Sequence, residues 1–199
     1  LFYDIIKENK QLITDQEFHN AVAGLSLMDD AFMRMVFDNN IICTQHLLDI
    51  ILKNPGFKVQ KVTTQQEIKS GKGRSVRLDI TAEDERGNIF DIEIQRSKKG
   101  ATARRARFYS SMVDTRTLDK NEDFDKLPDT YVIFITEDDI FKKGEPILHI
   151  NRTVEETGDN FGDGSHIVYV NGAYAGNNEI GKLMHDFKCK DVSKMNPSP

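Results

Sequence analysis

Tryptophan is absent, cysteine and proline number only two and five in 199 residues, and no apolar run approaches the length of a bilayer span. Each shortage closes off a class of protein. A membrane-spanning helix needs about 20 consecutive apolar residues, so no membrane partner is expected. Cys43 and Cys189 lie far apart and match neither a zinc spacing nor a disulfide framework, the pattern of a reducing, cytoplasmic compartment. Cys43 falls in an apolar helical stretch and reads as a small core residue. The opening LFYDIIKENK mixes charge with apolar side chains and lacks a signal-peptide pattern. Positive charge is also short, with 27 Lys and Arg against 32 Asp and Glu, a net charge of −5. Such a balance argues against a protein that coats nucleic acid. It leaves room for a local basic strip, so the distribution of charge matters more than its sum.

What is present suits one α/β domain over residues 28–190, preceded by an arm or helix over 1–27 and followed by a frayed tail over 191–199. Helical spacing of Phe32, Met35, Val36, Leu47, Leu48, Ile51 and Leu52 predicts helix over 28–53, with a break near Asp38-Asn39-Asn40 and a stop at Asn54-Pro55-Gly56. A strand or extended connection follows over 57–69. In 75–84 Val76, Leu78, Ile80 and Ala82 are expected to face one way, with Asp79 opposite. Glu85-Arg86-Gly87-Asn88 is a hairpin turn. In the next strand, 89–95, Ile89, Asp91, Glu93 and Gln95 share one face, and Phe90, Ile92 and Ile94 take the other. Residues 101–119 read as helix. The continuous apolar run TYVIFIT at 130–136 predicts a strand buried on both faces. Further strands are expected at 147–151 and 166–170, and a last helix at 177–187.

The polar residues of the hairpin suggest chemistry. Two carboxylates on adjacent strands, Asp79 and Glu93, can enter one coordination sphere, and oxygen ligands suit Mg²⁺. Such an ion activates water and stabilises charge at a phosphate. Yet alternating strands routinely place Asp and Glu on a solvated face, so Asp-x13-Glu-x-Gln is also the pattern of an ordinary hairpin. The next segment adds weight. From Arg96 to Arg107 there are six basic residues and no acid: Arg96, Lys98, Lys99, Arg104, Arg105 and Arg107. Such side chains can neutralise backbone phosphates, or simply form a solvated helix face. Arg105 and Tyr109, four apart, share a helical face. None of the histidines His19, His46, His149, His166 and His185 pairs with another at a ligand spacing, so structural or surface roles are expected. Gly162-Asp163-Gly164-Ser165 lacks the lysine of a phosphate loop and reads as a turn, placed near the rim of the site. Glu137-Asp138-Asp139 reads as a solvated loop.

Long runs of the chain resemble a known family. DDAFMRMVF at 29–37, GRSVRLDITAED at 73–84, NIFDIEIQRSKKGATARRARFYSSM at 88–112, LPDTYVIFIT at 127–136, EETGDNFGDGSHIVYVNGAY at 155–174 and GKLMHDF at 181–187 look like the PD-(D/E)XK nuclease family transposases, related to the Rpn recombination-promoting nucleases. The resemblance implies a restriction-endonuclease-like α/β core, a mixed central sheet flanked by helices in the order αβββαβ. It implies Asp79 and Glu93 as acidic metal ligands, with the Ile94 carbonyl completing the protein ligands. Asp30 is positioned like an acid that some members add, and Asp29 competes for that place. Gln95 stands where many PD-(D/E)XK enzymes carry Lys, and Leu78 replaces the proline of the family's name.

Those expectations define a Mg²⁺-dependent endodeoxyribonuclease in which Mn²⁺ can substitute, acting on DNA, compatible with a homodimer, and making strand breaks that feed recombination or serve mobile elements. Gln95 would position the attacking water, and Arg77, Arg104 or Arg105 would supply charge that a lysine otherwise gives. The alternative is a weakly active or inactive nuclease fold that binds DNA or protein.

Overall fold

The computed structural model describes residues 23–53, 56–71, 73–191 and 194–196. Most of the expected N-terminal arm, with His19, lies outside the described residues, as do 192–193 and 197–199 of the expected tail. In chain order the elements are α1 (Asp30–Phe37), α2 (Ile41–Leu52), β1 (Val59–Ile68), β2 (Val76–Asp84), β3 (Ile89–Gln95), α3 (Ala103–Thr117), β4 (Thr130–Thr136), β5 (Ile147–Ile150), β6 (Ser165–Asn171) and α4 (Glu179–Lys188). The expected αβββαβ order is therefore present, with α1 and α2 sharing the first helical position.

The corner between α1 and α2 is built by asparagines. Asn39 takes a left-handed backbone, φ 54°, which short amide side chains tolerate better than most. The Asn40 side-chain Oδ1 accepts the Cys43 N–H at 3.1 Å, capping α2, while its Nδ2 donates to the Val36 carbonyl at 2.9 Å. The β2–β3 hairpin is held in a similar way. Buried Asp84 accepts the backbone N–H groups of Arg86 and Asn88, each at 2.9 Å, and Gly87 supplies the positive φ of 83° that the turn needs.

The strands form one mixed sheet in the order β1-β2-β3-β4-β6-β5. β1, β2 and β3 run antiparallel, β4 lies parallel between β3 and β6, and β5 closes the far margin antiparallel. β4 is buried as its composition predicts: Val132 and Phe134 face one apolar cluster, Ile133 and Ile135 the other. The first cluster lies under α3 with Ala106, Met112 and Val113. The second packs α1, α2 and α4 through Phe32, Phe37, Leu47, Leu48 and Phe187. Each such fully buried side chain contributes about 1.5–3 kcal/mol of transfer free energy. Past residue 190, Met195 is buried and Asn196 bonds the Asp186 carboxylate through its backbone N–H (2.9 Å) and side-chain amide (2.8 Å). The packed domain thus extends into the segment expected to fray.

The apolar face expected of β2 is not continuous. Val76 and Leu78 join the cluster under α3, whereas Ile80 and Ala82 join the opposite one. A regular strand keeps residues two apart on one face, so β2 changes phase at Asp79. β1 does the same: Val62 and Ile68 are six apart yet belong to opposite clusters. Between them Gln65 adopts φ 54°. The pairing of β2 with β3 runs from Glu83↔Ile89 to Ile80↔Ile92 and is not continued at Asp79. A period-2 reading cannot see this irregularity, because the residues of both phases are apolar.

Asn40→Ala removes the α2 cap and the bond to Val36 together. It is expected to lower the unfolding free energy by about 2 kcal/mol in a urea titration, without changing the slope against denaturant.

Candidate metal centre

Where β2 and β3 part, side chains take over the missing ladder bonds. The Asp79 backbone N–H donates to Glu93 Oε1 at 2.9 Å, and the Ile94 N–H donates to Asp79 Oδ2 at 3.0 Å. The two carboxylates are thereby drawn together by each other's strand. Glu93 has no solvent exposure. Its Oε2 meets the Arg105 guanidinium at 3.3 Å and the Gln95 amide at 3.4 Å. Arg105 in turn donates to the Tyr109 hydroxyl at 2.5 Å and lies 4.8 Å from the centre of its ring. The four-residue spacing along α3 therefore serves to aim Arg105 inward.

Asp30 reaches the same place from α1. Its Oδ1 accepts from the Gln65 amide at 3.2 Å, and that amide also donates to Asp79 Oδ1 at 3.4 Å. Asp29 points elsewhere: its carboxylate accepts the Ser26 N–H at 2.8 Å and pairs with Arg96 at 2.8 Å. Geometry thus distinguishes the two neighbours, and Asp30 is the one beside Asp79. Gln95 is seated by contact as well as by hydrogen bond. A Cβ built on Gly100 would fall 1.8 Å from Gln95 Oε1, so only glycine leaves the amide where it is.

The electrostatics are those of a carboxylate group short of positive charge. Burial, then the charge of Asp79, pushes the Glu93 carboxyl up to about 8. Burial, then Asp30, raises Asp79 despite its bond from Ile94. Asp91, on the same face of β3 as Glu93, is fully buried, and neither carboxylate oxygen has a hydrogen-bond partner. Burial raises it well above the ordinary range, and Glu93 and Asp79 raise it further. Asp91 was legible only as a member of that face, and nothing in the spacing marked it as buried. Gln65 was not foreseen, because nothing in the sequence distinguishes it from Gln66 or from the other polar residues of its strand.

A sequence model of the PD-(D/E)XK nuclease family transposases matches residues 27–178. The chain belongs to that family. No curated protein and no solved structure matches it. Membership and the mixed six-stranded sheet with helices on both faces establish the restriction-endonuclease-like fold of a PD-(D/E)XK protein. Such nucleases typically use divalent metals. The residues fit one: the donors are oxygens, and the carboxyls, raised by burial and then by one another's charge, are a group that a cation would stabilise. Among the described residues no group of three or more His, Cys, Asp or Glu is placed to hold a metal ion. A cation here would complete its shell from amide, backbone or water oxygens.

The basic residues divide. Arg77, Lys99, Arg104 and Arg107 are exposed; the side chain of Lys98 lies outside the described residues. Arg96 is held between Asp29 and Glu137, the latter at 3.7 Å. Tyr109 is only 6% exposed, so it supports Arg105 rather than offering a face for a base. The Gly162–Ser165 turn, expected at the rim, is at the opposite end of the sheet: the Gly164 carbonyl accepts the Thr130 N–H at the start of β4. A cleft of about 440 Å³ between β1–β2 and α3, bordered by Lys61, Arg86 and Arg116, does not include Asp79 or Glu93. No described helix is long and apolar enough to cross a membrane.

Two outcomes follow for this PD-(D/E)XK protein. A carboxyl whose folded value exceeds its unfolded one stabilises the fold below the unfolded value, and that contribution is lost as pH rises through the folded value. The metal-free protein should therefore lose thermal stability between about pH 4.5 and 8, and Glu93→Gln should flatten that slope and melt higher than the parent at pH 8. Gly100→Ala displaces the end of a flexible side chain and should barely change the melting temperature, while shifting the Gln95 amide resonances in an NMR spectrum.

Proposed function

We propose that the protein is a divalent-metal-dependent DNA endonuclease, with Mg²⁺ as the working ion and Mn²⁺ able to replace it. The observation that carries this reading is the pair of bonds at the point where β2 and β3 part, from the Asp79 N–H to Glu93 and from the Ile94 N–H to Asp79. Asp79 and Glu93 would hold the ion, with the Ile94 carbonyl and Asp30 as further oxygen donors. A bound divalent ion supplies Lewis-acid stabilisation at the scissile phosphate and a more acidic water.

The chain's own groups do the rest. The Gln95 amide can orient a water by hydrogen bond but brings no charge. Arg105, fixed 3.3 Å from Glu93, is a permanent positive charge at the site and offsets what lysine would have provided. Lys99, Arg104 and Arg107, exposed on and before α3, and Arg77 on β2, would hold backbone phosphates, with Lys98 alongside them in sequence. Their contribution would weaken with salt. Strand breaks made in this way would feed recombination or serve a mobile element, in keeping with the transposase label of the family.

One observation favours a second reading, a nuclease fold that binds DNA without turnover: the Gln95 amide donates to Glu93 rather than standing free. Plasmid incubated with Mg²⁺ or Mn²⁺ separates the two. The parent should nick and linearise it, and Asp79→Ala or Glu93→Ala should slow this by roughly 100-fold or more. Equal cleavage by parent and variants would mean contamination and end the nuclease reading. Salt-sensitive binding with no cleavage would establish the second.

A further inference from the structure

Gln65 is held in an unusual way by the fold. Its backbone occupies the left-handed region, φ 54°, where a side chain is strained and glycine is not. Strain of this kind, when the surrounding structure maintains it, points to a side chain needed in place. The side chain lies between two carboxylates from different elements. Its Nε2 donates to Asp30 Oδ1 of α1 at 3.2 Å and to Asp79 Oδ1 of β2 at 3.4 Å. Meanwhile its Oε1 is buried with no hydrogen-bond partner, a state that costs free energy in a folded protein. An amide NH₂ donating to two carboxylates does what a small cation would do between the same oxygens.

We propose that Gln65 is an oxygen donor of a divalent-cation site shared with Asp30 and Asp79, and that its amide turns over when the ion enters. In the metal-free protein the NH₂ group keeps the two carboxylates at a common point and reduces their repulsion. Turning the amide by half a revolution exchanges nitrogen for oxygen. The carbonyl oxygen then joins Asp30 Oδ1 and Asp79 Oδ1, giving three oxygens from α1, β1 and β2. Amide oxygens are ordinary ligands of hard cations. The same movement takes Oε1 from the position where it has no partner and carries Nε2 there in its place. Because the backbone of Gln65 marks the phase change of β1, the donor belongs to the feature that opens the sheet at Asp79. The proposal rests on the metal-dependent reading above.

Calorimetric titration of Mn²⁺ into the parent, Gln65→Gly and Gln65→Glu, without DNA, tests it. Circular dichroism of each metal-free protein checks that the fold is kept. The glycine variant suits the left-handed backbone and is expected to fold, yet to bind Mn²⁺ roughly 10-fold or more weakly, the loss typical of groups that support a metal site. The glutamate variant keeps an oxygen at the same reach and should bind at least as tightly as the parent. Parent-like affinity in Gln65→Gly, or weakening in Gln65→Glu as large as in Gln65→Gly, overturns the role of Gln65 alone. Absence of Mn²⁺ binding by the parent overturns the metal-dependent reading and this proposal with it.

Discussion

The exchange of hydrogen bonds between β2 and β3 through the carboxylates of Asp79 and Glu93 is the constraint on which the rest of the site depends. Two antiparallel strands that separate would leave backbone N–H groups unpaired in a buried place, which the fold cannot afford. Here the carboxylate of each strand accepts an N–H of the other. The separation is thus stabilised by the very side chains proposed to hold the ion. It also fixes their distance from each other without help from a ligand. Arg105, Gln95 and Gln65 then attach to this pair from α3, from β3 itself and from β1.

Charge balance follows from the same arrangement. Asp30, Asp79, Asp91 and Glu93 gather around Arg105 and two neutral amides, with Arg34 pairing only the outer Asp30 at 2.9 Å. Desolvation raises the carboxyls most, and their mutual repulsion adds to it. A lysine at position 95 would have supplied a charge that came and went with its rotamers. The arginine is instead locked by Tyr109 beneath a helix, so the compensation is fixed in place but incomplete. That imbalance is what a bound cation would relieve.

Much of the architecture was legible in the sequence because its patterns are regular. The break at Asp38-Asn39-Asn40, the hairpin at 85–88 and the doubly buried strand at 130–136 all appear where composition placed them. The pairing of Arg105 with Tyr109 followed from helical spacing. What spacing could not reveal was the phase change at Asp79 and Gln65, since hydrophobic residues occupy both phases on either side of it. It also could not separate Asp30 from Asp29, because neighbours at a helix start differ by a turn of about 100° that only the packed helix resolves. The basic segment was read as one surface, whereas folding sends Arg105 inward, ties Arg96 to two acids and leaves Arg104 and Arg107 in solvent.

The kink in β1 has a consequence for the protein's behaviour in a crowded solution. β1 is ten residues long and forms one margin of the sheet. A straight margin of that length would be a template for pairing with another chain, and proteins commonly blunt such strands with irregular backbone and charge. The left-handed residue at Gln65 interrupts the row of hydrogen-bonding groups midway, and Lys61 and Glu67 flank it. The distortion that shapes the proposed cation site thus also discourages edge-to-edge aggregation, so straightening this strand would endanger solubility.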